Sequence, residues 1–358
     1  MRVLLIGEFS SLHRYLKEGL NKLGHEVVLV SNRDGTKNIP GTDYVLHKSS
    51  KNIFLNYYYA YVQSIIVSRR FKNFDVVQFI STRLYPCKIR KFIYKKLLKH
   101  NKRVFYSASG GDYAMKLAYD QKMISYFMYD KDELFLQQYS LENKEGRFNI
   151  SFEQSFLKEI DGIIPSLFEY SIGYKNSFKN LQNAIPFPIN TDDISYSENV
   201  VNNKVVFFHG ITRENNKGTS LIKDAFNRLL KNFPDKVEII IKERMPFNEY
   251  IKVIDKANVI VDQCKSYGYG INACISMAKG KVVMTGCRKE EFECLNIKEE
   301  DNPMILTKPD VDFLYKQMEW IVQNSEQIPL MGKKSREYVE KYHNYVKIAK
   351  RYIELWSI

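Results

Sequence analysis

Two successive runs of alternating strand and helix predict an α/β protein made of two Rossmann-like, doubly wound domains facing each other. Three observations carry that expectation. Short, wholly apolar segments recur between amphipathic helical ones, the pattern of parallel strands covered on both faces. A proline-containing stretch, Pro186-Phe187-Pro188-Ile189-Asn190, divides the chain near its middle. The length, 358 residues, exceeds one ordinary core and suits two domains of about 150–200 residues.

The first run opens with the apolar strand Val3–Ile6 and a turn at Gly7. Leu12, Tyr15, Leu16, Leu20 and Leu23 recur at helical spacing over Leu12–Leu23, and Gly24 suits the residue that caps such a helix. Further strands are expected at Val27–Val30, Val76–Ile80, Val104–Tyr106 and Gly162–Ile164, with helices over 54–68, 88–99 and 151–159. The mostly polar residues 191–204 read as a linker. The second run has strands Val205–Phe208, Val237–Ile241, Val259–Val261 and Val282–Met284. Its helices fit Thr219–Leu230, Tyr250–Lys256, Ile271–Lys279 and 311–323, and a last helix covers 333–356. The expected division is 1–190, 191–335 and a terminal helical piece, 336–358, crossing back to the first domain.

Composition excludes several classes. Apolar residues make up 44% and charged residues 27%, which is globular. No apolar run reaches the roughly 18 residues of a membrane span. Met1–Gly7 is too short for the apolar core of a signal peptide, and Glu8 follows it directly, so it reads as the first strand of a cytoplasmic protein. The five cysteines form no CxxC pair and read as reduced thiols, with no structural zinc expected. The net charge of +13 is concentrated: residues 51–103 hold thirteen Lys and Arg against one acid, Asp75. So local a patch implies an anionic partner, whether membrane surface, nucleic acid or phosphorylated substrate.

Two loops could carry chemistry. His209-Gly210-Ile211-Thr212-Arg213-Glu214-Asn215-Asn216-Lys217-Gly218 lies between a strand end and a helix start. Arg213 and Lys217 would add two cations to backbone N–H groups that favour anions, and Gly210 allows close approach, an arrangement suited to a diphosphate. A polar loop with solvated charges remains the other reading. In Tyr267-Gly268-Tyr269-Gly270-Ile271-Asn272, two glycines open a helix at the carboxyl end of a sheet, where backbone meets ligand.

Together these stretches make the sequence similar to the GT-B-fold glycosyltransferases, specifically the large retaining family with many bacterial capsule and lipopolysaccharide enzymes. The resemblance covers most of the chain. It includes the opening βαβ with Gly7, Gly24–Val27 (GHEV), Ser109–Asp112 (SGGD), Asp161–Pro165 (DGIIP), the proline linker and Gly210/Arg213/Lys217. It continues through Ala257–Gln263 (ANVIVDQ), the YGYG…MAKGKVV stretch and the final helix at 336–356. It implies a donor of nucleotide-diphosphate sugar, most simply a UDP-sugar, held by the second domain. Arg213 and Lys217 would neutralise the leaving diphosphate, so that neither metal nor cofactor is needed. The Gly7, Gly210, Gly268, Tyr269, Gly270, Ile271, Asn272 and Ser276 positions would line the donor, and Glu243 and Arg244 the nucleobase. The acceptor, lipid-linked or glycan, would dock on the first domain near Ser109 and Asp112. The basic stretch 51–103 would then meet an anionic membrane surface from the cytoplasmic side.

The chain departs from the family at three places. The two glutamates of its E-x7-E spacing are Tyr267 and Ile275, and no acid lies between Asp262 and Glu290. The family's loop histidine is Ser109. Asn272 and Ser276, one helical turn apart, stand as polar substitutes. These losses also support a second reading, a non-catalytic nucleotide-binding or scaffold protein of the same fold. Asp112 reads either as a base or as a helix cap, and His209 as structural. The D-x-D strings Asp130-Lys131-Asp132 and Asp310-Val311-Asp312 read as surface acids away from the diphosphate loop. The aromatic segment Gln121–Glu145 reads equally as an acceptor-side insertion or a packed helix. Lys88, Lys91, Lys95 and Lys99 share one side of helix 88–99, with Ile89, Phe92, Ile93 and Leu97 on the other. No nucleic-acid motif accompanies the basic patch, and Gly7–Leu12 is not GxGxxG, which argues against a nucleic-acid binder and a dehydrogenase.

Overall fold

The computed structural model describes residues 1–46, 52–211 and 216–357, without the side chains of Thr36 and Phe247. The chain forms two compact units. Unit 1 comprises Met1–Met123, Glu133–Pro188 and Tyr345–Ile358, and unit 2 comprises Ile124–Asp132 and Ile189–Asn344. The chain therefore passes between them four times, once on each side of a short segment no composition shift announces.

Unit 1 holds a six-stranded parallel sheet of β1 (Arg2–Ile6), β2 (Glu26–Ser31), β3 (Tyr44–Val45), β4 (Val76–Phe79), β5 (Arg103–Ala108) and β6 (Gly162–Pro165). Its order is β3-β2-β1-β4-β5-β6. The helices are α1 (Leu12–Lys22), α2 (Ile53–Tyr57), α3 (Ser64–Ser68), α4 (Cys87–His100), α5 (Tyr113–Asp120), α6 (Glu133–Gln138) and α7 (Lys144–Phe156). Val3, Leu4, Leu5 and Ile6 are fully buried, as the wholly apolar strand requires. The chain runs from β1 to β2 on one side, then back across β1 to β4 on the other. Such a reversal leaves a crevice between the loops after the two strands, where α/β sheets bind ligands.

Unit 2 repeats the plan with β7 (Val205–Ile211), β8 (Val237–Glu243), β9 (Val259–Val261), β10 (Val282–Thr285) and β11 (Ile305–Leu306). All pair in parallel in the order β11-β10-β9-β7-β8. The reversal falls between β7 and β9, whose following loops are the two singled out by the sequence. The helices are α8 (Thr219–Asn232), α9 (Phe247–Lys256), α10 (Ile271–Ala278), α11 (Lys289–Leu295), α12 (Val311–Gln323) and α13 (Ile328–Tyr342). Ile222, Phe226 and Leu229 of α8 pack with Leu314, Met318 and Ile321 of α12 over Val205 and Phe207.

Three of the expected helices take a different form. The helix expected over 54–68 is α2, a π-helical segment Tyr58–Gln63 and α3. The helix expected from 151 begins at Lys144, because Asn143 caps it by accepting from the Gly146 N–H at 2.7 Å. The helix expected over 333–356 breaks at His343, whose carbonyl accepts from the Ile189 N–H at 2.7 Å. Beyond the break runs α14 (Tyr345–Ser357), which returns to unit 1 and buries Tyr352 and Trp356 against α1 and the sheet.

Candidate functional site

Unit 2 carries most of the candidate residues at its strand reversal. His209 is fully buried on β7 and bolts the neighbouring elements together. Its Nδ1 donates to the Val261 carbonyl at 2.7 Å, which leaves Nε2 to accept from the Thr219 hydroxyl at 3.0 Å. Burial lowers its pKa to about 4, so the ring is neutral and structural. Gly218 stands at φ +74° before α8, and a Cβ there would lie 2.3 Å from the Cys264 sulfur. Only glycine fits. This close approach presses the turn at Lys217 onto the strand end at Cys264 and Lys265.

Lys217 is mostly buried, and its Nζ donates to Asp262 Oδ1 at 2.8 Å, with Thr285 Oγ1 reaching the other oxygen at 3.4 Å. Its charge is thus already aimed across the crevice between the loops after β7 and β9. Arg213 lies outside the described residues. Gly210 sits on β7 beside Tyr250. Glu243 and Arg244 end β8 with both side chains exposed, and the Arg244 N–H donates to the Ile211 carbonyl at 2.9 Å.

The glycine loop is built from inside. Gly268 packs closely on a buried acid: a Cβ there would lie 2.6 Å from Glu291 Oε2 on α11, and the carboxylate would have to shift to admit it. The position above Gly270, which precedes α10, faces open space. The first N–H groups of α10, at Ile271 and Asn272, follow it. Tyr269 points the other way: its hydroxyl meets the Tyr338 hydroxyl at 2.7 Å and His343 Nε2 at 3.0 Å in the core. Ser276 is fully buried and donates to the Asn272 carbonyl at 2.8 Å, while Ile275 is fully buried and Asn272 half-buried. The loop thus presents backbone outward, with Asn272 the polar side chain nearest the surface.

One expectation is overturned here. Asp130 and Asp132 are not surface acids remote from the diphosphate loop. Lys265 Nζ donates to both oxygens of Asp130, at 2.8 and 2.9 Å, and Asn216 Nδ2 donates to Asp132 at 3.3 Å. Segment Ile124–Asp132 lies on the loops after β7 and β9. It is fixed at its start by Tyr126, whose ring lies 4.9 Å from that of Tyr267. The Arg288 guanidinium caps the Tyr267 ring at 4.5 Å, and the Ser125 N–H donates to the Tyr267 hydroxyl at 2.8 Å. Asp310 and Asp312 behave as expected: Asp310 caps α12, and Asp312 is exposed and paired with Arg228.

In unit 1, Gly7 ends β1 at the reversal, its N–H donating to the Val30 carbonyl at 2.7 Å. Asp112 caps α5 by accepting from the Met115 N–H at 3.0 Å, and it accepts from the hydroxyls of Tyr106 and Tyr174 at 3.1 and 2.5 Å. Burial, reinforced by the nearby Glu153 charge, raises its pKa. The Ser109 hydroxyl lies 2.8 Å from that of Ser107 and 3.0 Å from that of Ser166. Glu153, which the sequence did not single out, gathers Thr82, Tyr139 and the Tyr113 N–H. Arg83 donates to the Gly111 carbonyl at 2.8 Å, bracing the SGGD loop. Lys265, Glu291, Arg83 and Glu153 were missed because their partners are distant in sequence; the signal available was the place of Lys265 and Arg83 in the loops after β9 and β4, while Glu291 and Glu153 lie in mixed polar helices that give none.

The basic stretch also has an apolar component. Ile53 and Phe54 on α2 are 76% and 81% exposed. Tyr57, Tyr58 and Phe92 are exposed too, so the apolar side of α4 is divided: Ile93 and Leu97 are buried and Phe92 faces solvent. Lys88, Lys91, Lys95 and Lys99 are exposed along α4.

No family model and no curated protein matches the chain. Solved structures do, over nearly its whole length. Sucrose-phosphate synthase from Thermosynechococcus elongatus is similar at TM-score 0.65 and 14% identity, covering 100% of this chain and 98% of that one. The fold is that of the GT-B glycosyltransferases. HepE of Anabaena, solved with UDP and glucose, is similar at TM-score 0.62 and 11% identity, covering 100% and 99%. WaaG, a glycosyltransferase involved in lipopolysaccharide biosynthesis, is similar at 0.58 and 12%, covering 98% of each chain. At these identities the likeness establishes the fold.

Proposed function

We propose that the chain is a glycosyltransferase that moves a sugar from a UDP-sugar to a lipid-linked or glycan acceptor in surface polysaccharide biosynthesis. It works at the cytoplasmic face of the cell membrane and retains the anomeric configuration. The observation that carries this reading is the crevice at the β7–β9 reversal of unit 2. Lys217 and Lys265 stand on the loops after β7 and β9, and the β9 loop leaves open space at Gly270 before the first turn of α10. Fold neighbours solved with UDP and with UDP-glucose support the choice of donor.

In this scheme the bond from the anomeric carbon to the diphosphate oxygen breaks and its electron pair leaves with the diphosphate. Lys217, Arg213 and the α10 N-terminus offset that charge without a metal. The acceptor hydroxyl forms the new bond, and its proton passes to the departing phosphate oxygen. Ser109 and Asp112 belong to the acceptor side, and Gly7, at the strand reversal of unit 1, stays with the donor. The side chains of Ser109 and Asp112 are engaged in hydrogen bonds, so they hold the loop whose backbone meets the acceptor. Glu243 and Arg244 flank the nucleobase. The exposed apolar side chains of α2 and the lysines of α4 dock on anionic lipid.

A second reading, nucleotide binding without transfer, is favoured by Ile275 and Tyr267, both buried where carboxylates are absent. One experiment separates the two. UDP binding by calorimetry is paired with turnover on a panel of UDP-sugars, in the wild type, Arg213→Ala and Lys217→Met. The proposed enzyme turns over donor, and each variant loses about 10²-fold or more in kcat. Binding without transfer or hydrolysis of any donor selects the second reading. Wild-type turnover in both variants rejects the site.

A further inference from the structure

The crevice of unit 2 already holds anions, and they are the chain's own. Asp130 places both carboxylate oxygens on Lys265 Nζ, at 2.8 and 2.9 Å, and two residues later Asp132 reaches Asn216 at 3.3 Å. Lys265 follows β9 and Asn216 follows β7, so the two acids bridge the loops on either side of the strand reversal. A diphosphate asks for the same chemistry: oxyanions in series, met by an ammonium and an amide N–H. The ammonium is well placed for it. The Lys265 side chain is 12% exposed and lies against Gly218, next to Lys217.

We propose that Lys265 is a third cation of the donor diphosphate site, and that segment Ile124–Asp132 is its intramolecular competitor, displaced when the donor binds. The inference rests on the donor-site reading above. Displacement exchanges one oxyanion for another, so Lys265 is never left buried and alone. Tyr126, its ring tilted against that of Tyr267 under Arg288, tethers the segment, which keeps Asp130 at high effective concentration over the lysine. Only the fraction of molecules with Lys265 released binds donor fully, and the apparent Kd is raised by that fraction. Tyr267 thereby has a role distinct from the missing carboxylate: its hydroxyl accepts from the Ser125 N–H and holds the competitor in place.

The test is calorimetric titration of the full chain at low salt with UDP and, separately, with pyrophosphate. The proteins are wild type, Asp130→Asn, Lys265→Gln and the double variant, each checked for an unchanged melting temperature. Removing the competing charge is expected to tighten both probes about three- to tenfold. Lys265→Gln is expected to weaken both about tenfold. In the Lys265→Gln background, Asp130→Asn should bring no gain, because competitor and ligand share that ammonium. Wild-type binding that Asp130→Asn leaves unchanged or weakens overturns this inference alone, and makes the ion pair a fastening. Absence of binding to all four proteins overturns the donor-site reading and this inference with it.

Discussion

Glu8 shows how a single residue can set a pH limit on the fold. It sits in the loop after β1, 1% exposed, with Oε2 accepting from the Arg14 N–H at 2.8 Å. Burial pushes its carboxyl up to about 8 from 4.5. The folded value lies above the unfolded one, so the fold favours the protonated acid. Its contribution is intact below about 4.5 and is lost as the pH rises through about 8. His13, also in unit 1, acts in the opposite window: burial lowers it to about 4 from 6.5, and stability is lost as the pH falls between those values. Glutamine keeps the hydrogen bond and cannot ionise. Glu8→Gln is therefore expected to match the wild type near pH 5 and to exceed it by about 1–3 kcal/mol near pH 8.5. Urea unfolding at the two pH values measures the difference, and an equal offset at both would place the effect in packing. Some residue-scale features were legible beforehand. Asp112 before an apolar run signals a cap, and Gly24 after one signals the helix end it makes at φ +83°. The Lys265–Asp130 pair was not, since it joins positions 135 residues apart, and only the fold brings them together.

At the scale of elements, strands buried on both faces declared themselves by being wholly apolar. Of the four edge strands, β6 and β8 were legible and β3 and β11 were not, being two residues each and too short for any period to show. Helical periodicity found α4 and α8 but assigned 54–68 a single uniform helix. The π-helical segment interrupts it, and α2 ends with its apolar side chains in solvent. Asn52 fixes α2 by accepting from the Phe54 and Leu55 N–H groups at 2.8 and 3.3 Å. The exposed apolar groups of α2 and the exposed lysines of α4 supply between them the chemistry of an interfacial anchor: apolar insertion together with attraction to anionic headgroups. Replacing Ile53 and Phe54 by Ser should weaken cosedimentation with phosphatidylglycerol vesicles about tenfold or more, since each buries a large side chain. Raising the salt should weaken what remains, because it rests on the lysines. Vesicle binding that survives both changes would remove this face from the membrane.

At the scale of the molecule, each unit is a separate core, and unit 1 is completed only by the last residues of the chain. Trp356 is 1% exposed, its ring 5.4 Å from that of Tyr352 and 6.4 Å from that of Phe105 on β5. Its carbonyl accepts from Arg103 Nη1 at 2.8 Å, so α14 is fastened to the sheet by backbone as well as by rings. Phe226 is the counterpart in unit 2, buried between β7 and α12. The bulk removed by Trp356→Ala costs about 3–5 kcal/mol, and in a unit of this size each kcal/mol moves the midpoint by about 2–4 °C. Scanning calorimetry should therefore show Trp356→Ala lowering one transition by about 6–20 °C and Phe226→Ala lowering the other. If instead both variants shift one shared transition by the same amount, the units unfold together. The position at which the chain re-enters unit 1, Tyr345, would then be a structural seam within one cooperative body rather than a boundary between two.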